Sequence, residues 1–350
     1  MKRKVKVAQF GIGRMGSLMV RYIVEHGGEY VAAFARNPGQ IGKDLGEIAG
    51  IGSLGVVISD AKNAAEVLAA TSPDIGMITT QGSMALNKPY YEVCARNGVN
   101  AISIGEHCLW PYTSDAAIAD ELDQIAKECG VTLSASGCPE VTWGTLVTTL
   151  ISACNKITKI KGDTMLNVDD YGPAVSDMHG VDLTLEEFEA RFPEIDRIDG
   201  HFPCLPGDQN AFLADHLGLH IVSQKMKHVP LTAQKDVYCK NLDRVIRAGR
   251  VIGDYMQVAS ETKEGISIEL WIGGKVYEEG EQDWNKWDIS GEPECHFTLY
   301  NPATPQFTCA TPVNKIPDVI NAAPGFLVAS QLPINTFKVR DLNEYVIEKE

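Results

Sequence analysis

The stretch that most limits what this chain can become is VKVAQFGIGRMGSLMVRYIVEHGGEYVAAFAR, residues 5–36. Val5, Val7 and Ala8 lead through Phe10 into Gly11, Gly13 and Gly16, spaced G-x-G-x-x-G. Beyond the glycines Leu18, Met19, Tyr22 and Ile23 recur at helical spacing, and Tyr30–Phe34 is a second apolar run of strand length. The pattern predicts strand, glycine turn, helix, strand, the context that gives such a glycine motif its meaning. Gly11 permits the tight turn, Gly13 removes a side chain where a pyrophosphate must approach, and Gly16 lets helix and strand pack closely. The helix N-terminus, reached through Arg14 and Met15, offers free N–H groups and partial positive charge to the phosphates. A glycine turn without a ligand is the plainer alternative.

The tip of the second strand selects the dinucleotide. An acid there holds a ribose 2′-hydroxyl, whereas a 2′-phosphate calls for a cation. This chain has Ala35-Arg36-Asn37, so no acid stands at the tip and the Arg36 fork is available to a phosphate. Arg14 is a second cation nearby. NADP(H) is the expected cofactor, with NAD(H) usable; a solvated loop arginine is the competing reading of Arg36.

The 350 residues suffice for two domains, and 44% hydrophobic with 22% charged residues is a globular composition. A formal net charge of -15 disfavours nucleic acid or an anionic membrane as partner. Nine cysteines are scattered without C-x-x-C, no His pair has metal-ligand spacing, and no metal is expected. The odd cysteine count and the lack of a signal peptide point to the cytoplasm. No apolar run approaches the roughly 20 residues of a membrane helix.

Strands and helices then alternate. Val56–Ile58, Asp74–Thr80, Asn100–Ile104 and Val131–Ala135 read as strands, with helices at Ala64–Ala70, Tyr90–Asn97 and Ala116–Cys129. This is the α/β class, an N-terminal Rossmann-type doubly wound parallel sheet. Thr79, Thr80, Gln81 and Ser83 lie at the carboxyl end of a strand, where ligands of such sheets collect; they face the cofactor or cap the next helix. The next strand ends in Gly105-Glu106-His107, which makes Glu106 the leading catalytic candidate; capping a helix that starts near Thr113 is its alternative role. Gly137 and Pro139 mark a boundary, and a helix is expected over Thr145–Cys154. From Ile157 strand runs dominate, with a capped helix at 184–192, which predicts a second α+β domain on a mixed or antiparallel sheet. The expected domains are 1–135, 136–312, and a closing segment 313–350 that returns to the nucleotide domain in one arrangement. Pro317–Ala322 reads as helix, broken at Ala323-Pro324-Gly325.

Several longer stretches carry a resemblance: FGIGRMG, IGKDLGEIAGIG, VNAISIGEHCLWP, SGCPEVTWGTL, ITKIKG with NVDDYG, and ATPVNKIPDVINAAPGF. In these the chain resembles the 2,4-diaminopentanoate dehydrogenases, relatives of dihydrodipicolinate reductase and of the native amine dehydrogenases. The resemblance implies a two-domain homodimeric enzyme that deaminates a primary amine with NAD(P)+ and releases ammonia. It assigns the ammonium or attacking water to Glu106, the 2′-phosphate to Arg36, a substrate pocket to Trp143 and Tyr171, and a nicotinamide contact to Asn321. The chain departs from many relatives in having Cys138-Pro139-Glu140 where they carry Asn-Pro-Gly. It also lacks the Gly-Thr-Thr-Gly loop and the His-His-x-x-x-Lys type cluster of dihydrodipicolinate reductase, so that activity is not expected.

A carboxylate beside the reacting amine would take its proton and stabilise the iminium left by hydride loss. Glu106 is expected in that role, its pKa raised by partial burial. Asp169 or Asp170, beside Tyr171, would hold the second ammonium of a diamino acid, or form a solvated acidic turn. His179, His201, His228 and His296 are further contacts the sequence leaves open, as are Arg244, Arg247 and Lys161 for a substrate carboxylate. The alternatives are a simpler amine or another amino acid as substrate, or a non-catalytic NADP(H) sensor, which would not need Glu106.

Overall fold

The computed structural model describes residues 3–197, 202 and 204–347. It forms two compact units, Met1–Val141 with Ala303–Glu350, and Thr142–Pro302. The expected boundaries at 135 and 312 are corrected: Ser136 and Glu140 join a buried cluster with Lys315, and residue 312 lies inside a helix. His201 lies outside the described residues.

In the first unit, β1 (Lys6–Phe10), α1 (Arg14–Glu25), β2 (Glu29–Ala35), α2 (Leu45–Ala49), β3 (Ile58–Asp60), α3 (Ala64–Thr71), β4 (Ile75–Ile78), α4 (Met84–Arg96), β5 (Asn100–Ser103), α5 (Ala116–Cys129) and β6 (Thr132–Ala135) follow one another. The second unit contributes α6 (Leu146–Ile151), β7 (Lys156–Asn167), α7 (Pro173–Met178), α8 (Leu185–Arg191), β8 (Ile195–Arg197), α9 (Leu205–Leu217), β9 (Ile221–Thr232), β10 (Val237–Cys239), β11 (Arg244–Ile246), β12 (Val251–Thr262), β13 (Ser267–Lys275), β14 (Trp284–Glu292) and β15 (Cys295–Tyr300). The chain then returns to the first unit as α10 (Thr304–Asn321) and β16 (Gly325–Leu327).

The first sheet runs β16-β6-β5-β4-β1-β2-β3, and every pairing in it is parallel. Both of its faces are covered, so its strands read as continuous apolar runs. Val7 packs with Met19, Ile23, Val313 and Ile316 from α1 and α10, while Ala8 and Phe10 turn to the opposite core with Tyr91, Leu122 and Phe326. The order reverses beside β1, which has β4 on one side and β2 on the other, and ligands of open α/β sheets bind at such a point. α10 is longer than the sequence indicated because Pro312 and Pro317, which argue against a continuous helix, are both accommodated within it.

The second sheet runs β15-β14-β7-β13-β12-β9-β8, parallel between β7 and β13 and antiparallel elsewhere, the mixed sheet of an α+β domain. Ile160, Leu270, Trp287 and Ile289 bury one face with Val147, Leu213 and Ala214 from α6 and α9. The capped helix appears as α8, where Thr184 and Glu187 exchange hydrogen bonds as a capping box. The helix expected over Thr145–Cys154 begins earlier, as a π-helical stretch Glu140–Thr145 that continues into α6. Among the described residues no helix is long and apolar enough to cross a membrane.

Candidate active site

The carboxyl edge of the first sheet gathers the chemistry strand by strand. At the β1 end the three glycines differ in what a side chain would meet. Gly11 has φ of 86°, and a Cβ there would lie 2.8 Å from the Thr79 carbonyl oxygen; a Cβ on Gly16 would lie 2.2 Å from the Gly11 carbonyl oxygen. Gly13 faces open space, with nothing within 4 Å of its Cβ position. It is the N-cap of α1, and no side chain caps the helix and no acid occupies its first turn. Uncapped N–H groups therefore face a place where a phosphate can approach, so these residues fit a dinucleotide pyrophosphate.

A cavity of about 200 Å³ opens there, lined by Gly11, Gly13, Arg36, Gln40, Thr79 and Thr80 with Phe10, Phe34 and Tyr90. Arg36 stands exposed at the end of β2, and among the described residues no carboxylate lies within ion-pair distance of it or of Arg14. Asn37 accepts the Gly39 N–H at 3.0 Å and shapes the loop after β2. The cavity lining does not include Arg14, Met15, Gly16, Gln81, Ser83 or Asn321.

At the β4 end the threonines build the loop. The Thr79 hydroxyl reaches the carbonyls of Phe10 (3.1 Å) and Gly11 (2.8 Å), and receives the Gln9 amide at 2.9 Å. The Thr80 hydroxyl donates to Asn87 Oδ1 at 2.7 Å. Asn87, fully buried, donates in turn to the carbonyls of Gln81 and Ser83. Ser83 is the N-cap of α4 by position, without a side-chain cap bond. Gln9, Gln40 and Asn87 were missed in the sequence. Gln9 alone left a trace, as a polar residue in an apolar strand.

Glu106 opens a 3₁₀ turn, Glu106–Cys108, directly beyond β5, so it does not cap α5, whose N-cap is Asp115. Its strand stands two places from β1 in the sheet, on the side away from Arg36. At about 4.8 Å per strand this is roughly 10 Å across the edge. Its side chain is exposed at the surface, but crowding by nearby protein thins the water around it, which raises the carboxyl above its ordinary value, against the pull of His107.

At the neighbouring β6 end, Lys315 from α10 forms a fully buried ion pair with Glu140, whose other oxygen accepts the Ser136 hydroxyl at 2.6 Å. The Cys-Pro-Glu departure thus carries a partner for a buried lysine, visible only once α10 is folded against β6. Asn321, expected at the nicotinamide, is engaged by the C-terminal segment. Its amide donates to the Tyr345 carbonyl (2.9 Å) and accepts the Ile347 N–H (2.8 Å), so both ends fasten the C-terminal segment.

In the second unit the expected pocket residues divide. Trp143 is buried in the core with Val147 and Trp287, the ordinary position of a tryptophan. Asp169 and Asp170 lie on a 3₁₀ turn rather than on a strand. Asp169 accepts the N–H groups of Lys240 and Asn241 and the Cys239 thiol, which ties it to the β10–β11 hairpin. Asp170 and Tyr171 are exposed. Arg244 pairs with Asp182 (3.1 Å), Arg247 pairs with Asp236 (2.5 Å), and the Lys161 ammonium lies 5.2 Å over the Trp271 ring. His179 and His228 meet at buried Asp254, at 2.6 and 2.5 Å through Nδ1. Burial pushes the Asp254 carboxyl up, and the two imidazoles outweigh it and hold the group below its ordinary value. His296 pairs with Asp288 at an exposed position.

A glycine turn and an uncapped helix start at the switch point of a parallel sheet, joined in sequence to a separate mixed-sheet unit, are the arrangement of the two-domain dinucleotide-dependent dehydrogenases, a class of oxidoreductase. Residues 142–348 match the family described as 2,4-diaminopentanoate dehydrogenase C-terminal domain, and residues 5–136 match dihydrodipicolinate reductase, N-terminus. The chain belongs to the 2,4-diaminopentanoate dehydrogenase family. It is 24% identical to 2,4-diaminopentanoate dehydrogenase of Acetoanaerobium sticklandii, over 99% of this chain and 98% of that one. The solved amine dehydrogenase of Mycobacterium smegmatis is 32% identical, with TM-score 0.83 over 97% of this chain and 98% of that one. The 4-hydroxy-tetrahydrodipicolinate reductase of Methanosarcina barkeri is 40% identical over 130 residues, only 36% of this chain and 46% of that one.

Proposed function

We propose that this enzyme oxidatively deaminates a small diamino acid of the 2,4-diaminopentanoate type with NADP+ preferred over NAD+, and runs in reverse as a reductive amination. The observation that carries the reading is Glu106, an acid with raised pKa at a strand end of the edge that bears the glycine loop. The nicotinamide, when bound, supplies the hydride acceptor. The N-terminal N–H groups of α1 hold the pyrophosphate, and Arg36 pairs with the 2′-phosphate. Glu106 takes the proton from the substrate ammonium, because only the neutral amine can release hydride from its carbon, and passes that proton to solvent, so that its restored charge stabilises the iminium. It next takes a proton from the water that adds to the iminium carbon and returns it to the nitrogen of the carbinolamine, whose carbon–nitrogen bond breaks to give a ketone and ammonia.

Substrate size is where a second reading gains. The Asp169 carboxylate is engaged by the hairpin backbone, which leaves exposed Asp170 to receive a second ammonium. The strong likeness to an amine dehydrogenase favours a simpler amine on the same machinery. A homodimer in the cytoplasm completes the proposal, and nine free thiols accord with a reducing compartment.

The test is NADPH formation, followed by absorbance, from NADP+ with 2,4-diaminopentanoate, simple amines, ornithine and lysine in parallel. Turnover on the diamino acid with ammonia release is the expected result. Turnover on simple amines alone would move the substrate to the second reading, and tight NADPH binding with silence on every amine would overturn the deamination itself.

A further inference from the structure

Two of the nine cysteines come together in the structure. Cys154, just beyond α6, and Cys295, the first residue of β15, lie 141 positions apart in sequence with their sulfurs 3.7 Å apart. Both are partly exposed, and both point to the Pro293 carbonyl, at 3.5 and 3.8 Å. The backbone around them is already tied. The Asn155 N–H donates to the Glu292 carbonyl at 2.7 Å, and β7 pairs with β14 through Lys156 and Glu292. Packing there is close enough that a Cβ on Gly291 would lie 2.0 Å from the Lys156 carbonyl oxygen.

We propose that Cys154 and Cys295 form a dithiol site that small-molecule disulfides oxidise to an intramolecular disulfide. The sulfurs must close from contact to about 2.05 Å, a movement that side-chain rotation supplies while the tied backbone stays in place. The other thiols lack this arrangement. Cys94, Cys108, Cys138, Cys239 and Cys309 are buried, Cys204 faces the Met226 sulfur, and Cys129 is exposed without a second thiol in contact among the described residues.

The exchange balances without any further reagent. A thiolate of the pair attacks one sulfur of the small disulfide, forms a mixed disulfide and expels one small thiolate, which takes up the proton. The second protein thiol loses its proton and attacks the protein sulfur of the mixed disulfide, closing the Cys154–Cys295 bond and releasing the second small thiol. Two protein thiols are oxidised by two electrons and one small disulfide is reduced to two thiols. Partial loss of solvent and the neighbouring Cys295 raise the Cys154 thiol above its ordinary value, so the exchange speeds up with rising pH.

The experiment incubates the full-length protein with oxidised glutathione, alkylates residual thiols, and maps peptides by mass spectrometry with and without reductant. The expected product is a Cys154–Cys295 cross-linked peptide, with Cys129 carrying at most glutathione. In Cys154→Ser, Cys295 should retain a glutathione adduct that the wild type resolves, and Cys295→Ser should show the converse. Thermal melting gives a second readout: the oxidised wild type shifts upward, as expected for closure of a long loop, and the two Ser variants do not. Stable glutathione adducts on both cysteines of the wild type, or no reaction at either while Cys129 is modified, would overturn the proposal.

Discussion

In the proposed mechanism, replacing one carboxylate oxygen of Glu106 by an amide nitrogen removes the proton acceptor and leaves the turn in place. Glu106→Gln is expected to lower kcat by about 10²- to 10⁴-fold, the usual weight of a positioned acid or base. The pH profile identifies the group. Because its pKa is raised, the base form is lost as pH falls through a value above the ordinary glutamate range, and that acid limb of kcat/KM should vanish in the variant. The stability effect has a definite sign. The folded chain keeps this proton longer than the unfolded one, so stability falls as pH rises from the ordinary to the raised value, and Gln removes that dependence. In the proposed function Arg36 acts on binding. Losing a charged hydrogen-bonding partner of a phosphate costs about 1.5–3 kcal/mol, so Arg36→Ala should raise KM for NADP+ about 10- to 100-fold and leave KM for NAD+ nearly unchanged. Steady-state kinetics with both cofactors checks this.

At the scale of elements, the loop between β1 and α1 separates two kinds of glycine. Gly16→Ala places a methyl 2.2 Å from the Gly11 carbonyl oxygen and should destabilise the first unit, as thermal melting would show. Gly13→Ala meets open space, so the fold should hold while nucleotide affinity, read by titration of NADPH fluorescence, drops. The contact between α10 and the β6 end behaves differently again. Glu140→Gln or Lys315→Met alone leaves an uncompensated buried charge and should cost about 3–5 kcal/mol in urea unfolding; joint apolar replacement with Ser136→Ala should recover most of it. These elements were unequally legible. The glycine turn, its flanking strands and the Glu106 strand end announce themselves because local backbone demands and alternation are written in consecutive residues. The Glu140–Lys315 pair joins residues 175 apart in sequence, and neither carries a local sign of its partner. α9 escaped notice because its opening turns, LPGDQN, bury polar residues that imitate a loop. Asn321 and Trp143 stand in suggestive motifs, and no local sign in either motif showed that Asn321 bonds the Tyr345 carbonyl or that Trp143 packs with Val147 and Trp287.

At the scale of the molecule, the second unit is a continuous insertion and the first is assembled from both ends of the chain. All seven strands of the second sheet lie within Thr142–Pro302. That segment expressed alone is expected to melt cooperatively, by circular dichroism, while a chain stopped at Val141 lacks α10 and β16 and should not. The predicted returning segment thus has a definite place, β16 beside β6, with Gly325 paired to Thr132. Sequence placed this tail poorly because β16 is only three residues long, too short for any alternation to register.

This arrangement also sets a timetable. As the chain emerges from the ribosome, the nucleotide-binding sheet waits with β6 as a bare edge while the entire inserted unit is made, and β16 arrives only after it. The unit begun first is therefore closed only after the unit inserted in it, although the residues that line its cavity, Phe10 to Tyr90, are all made before that insertion.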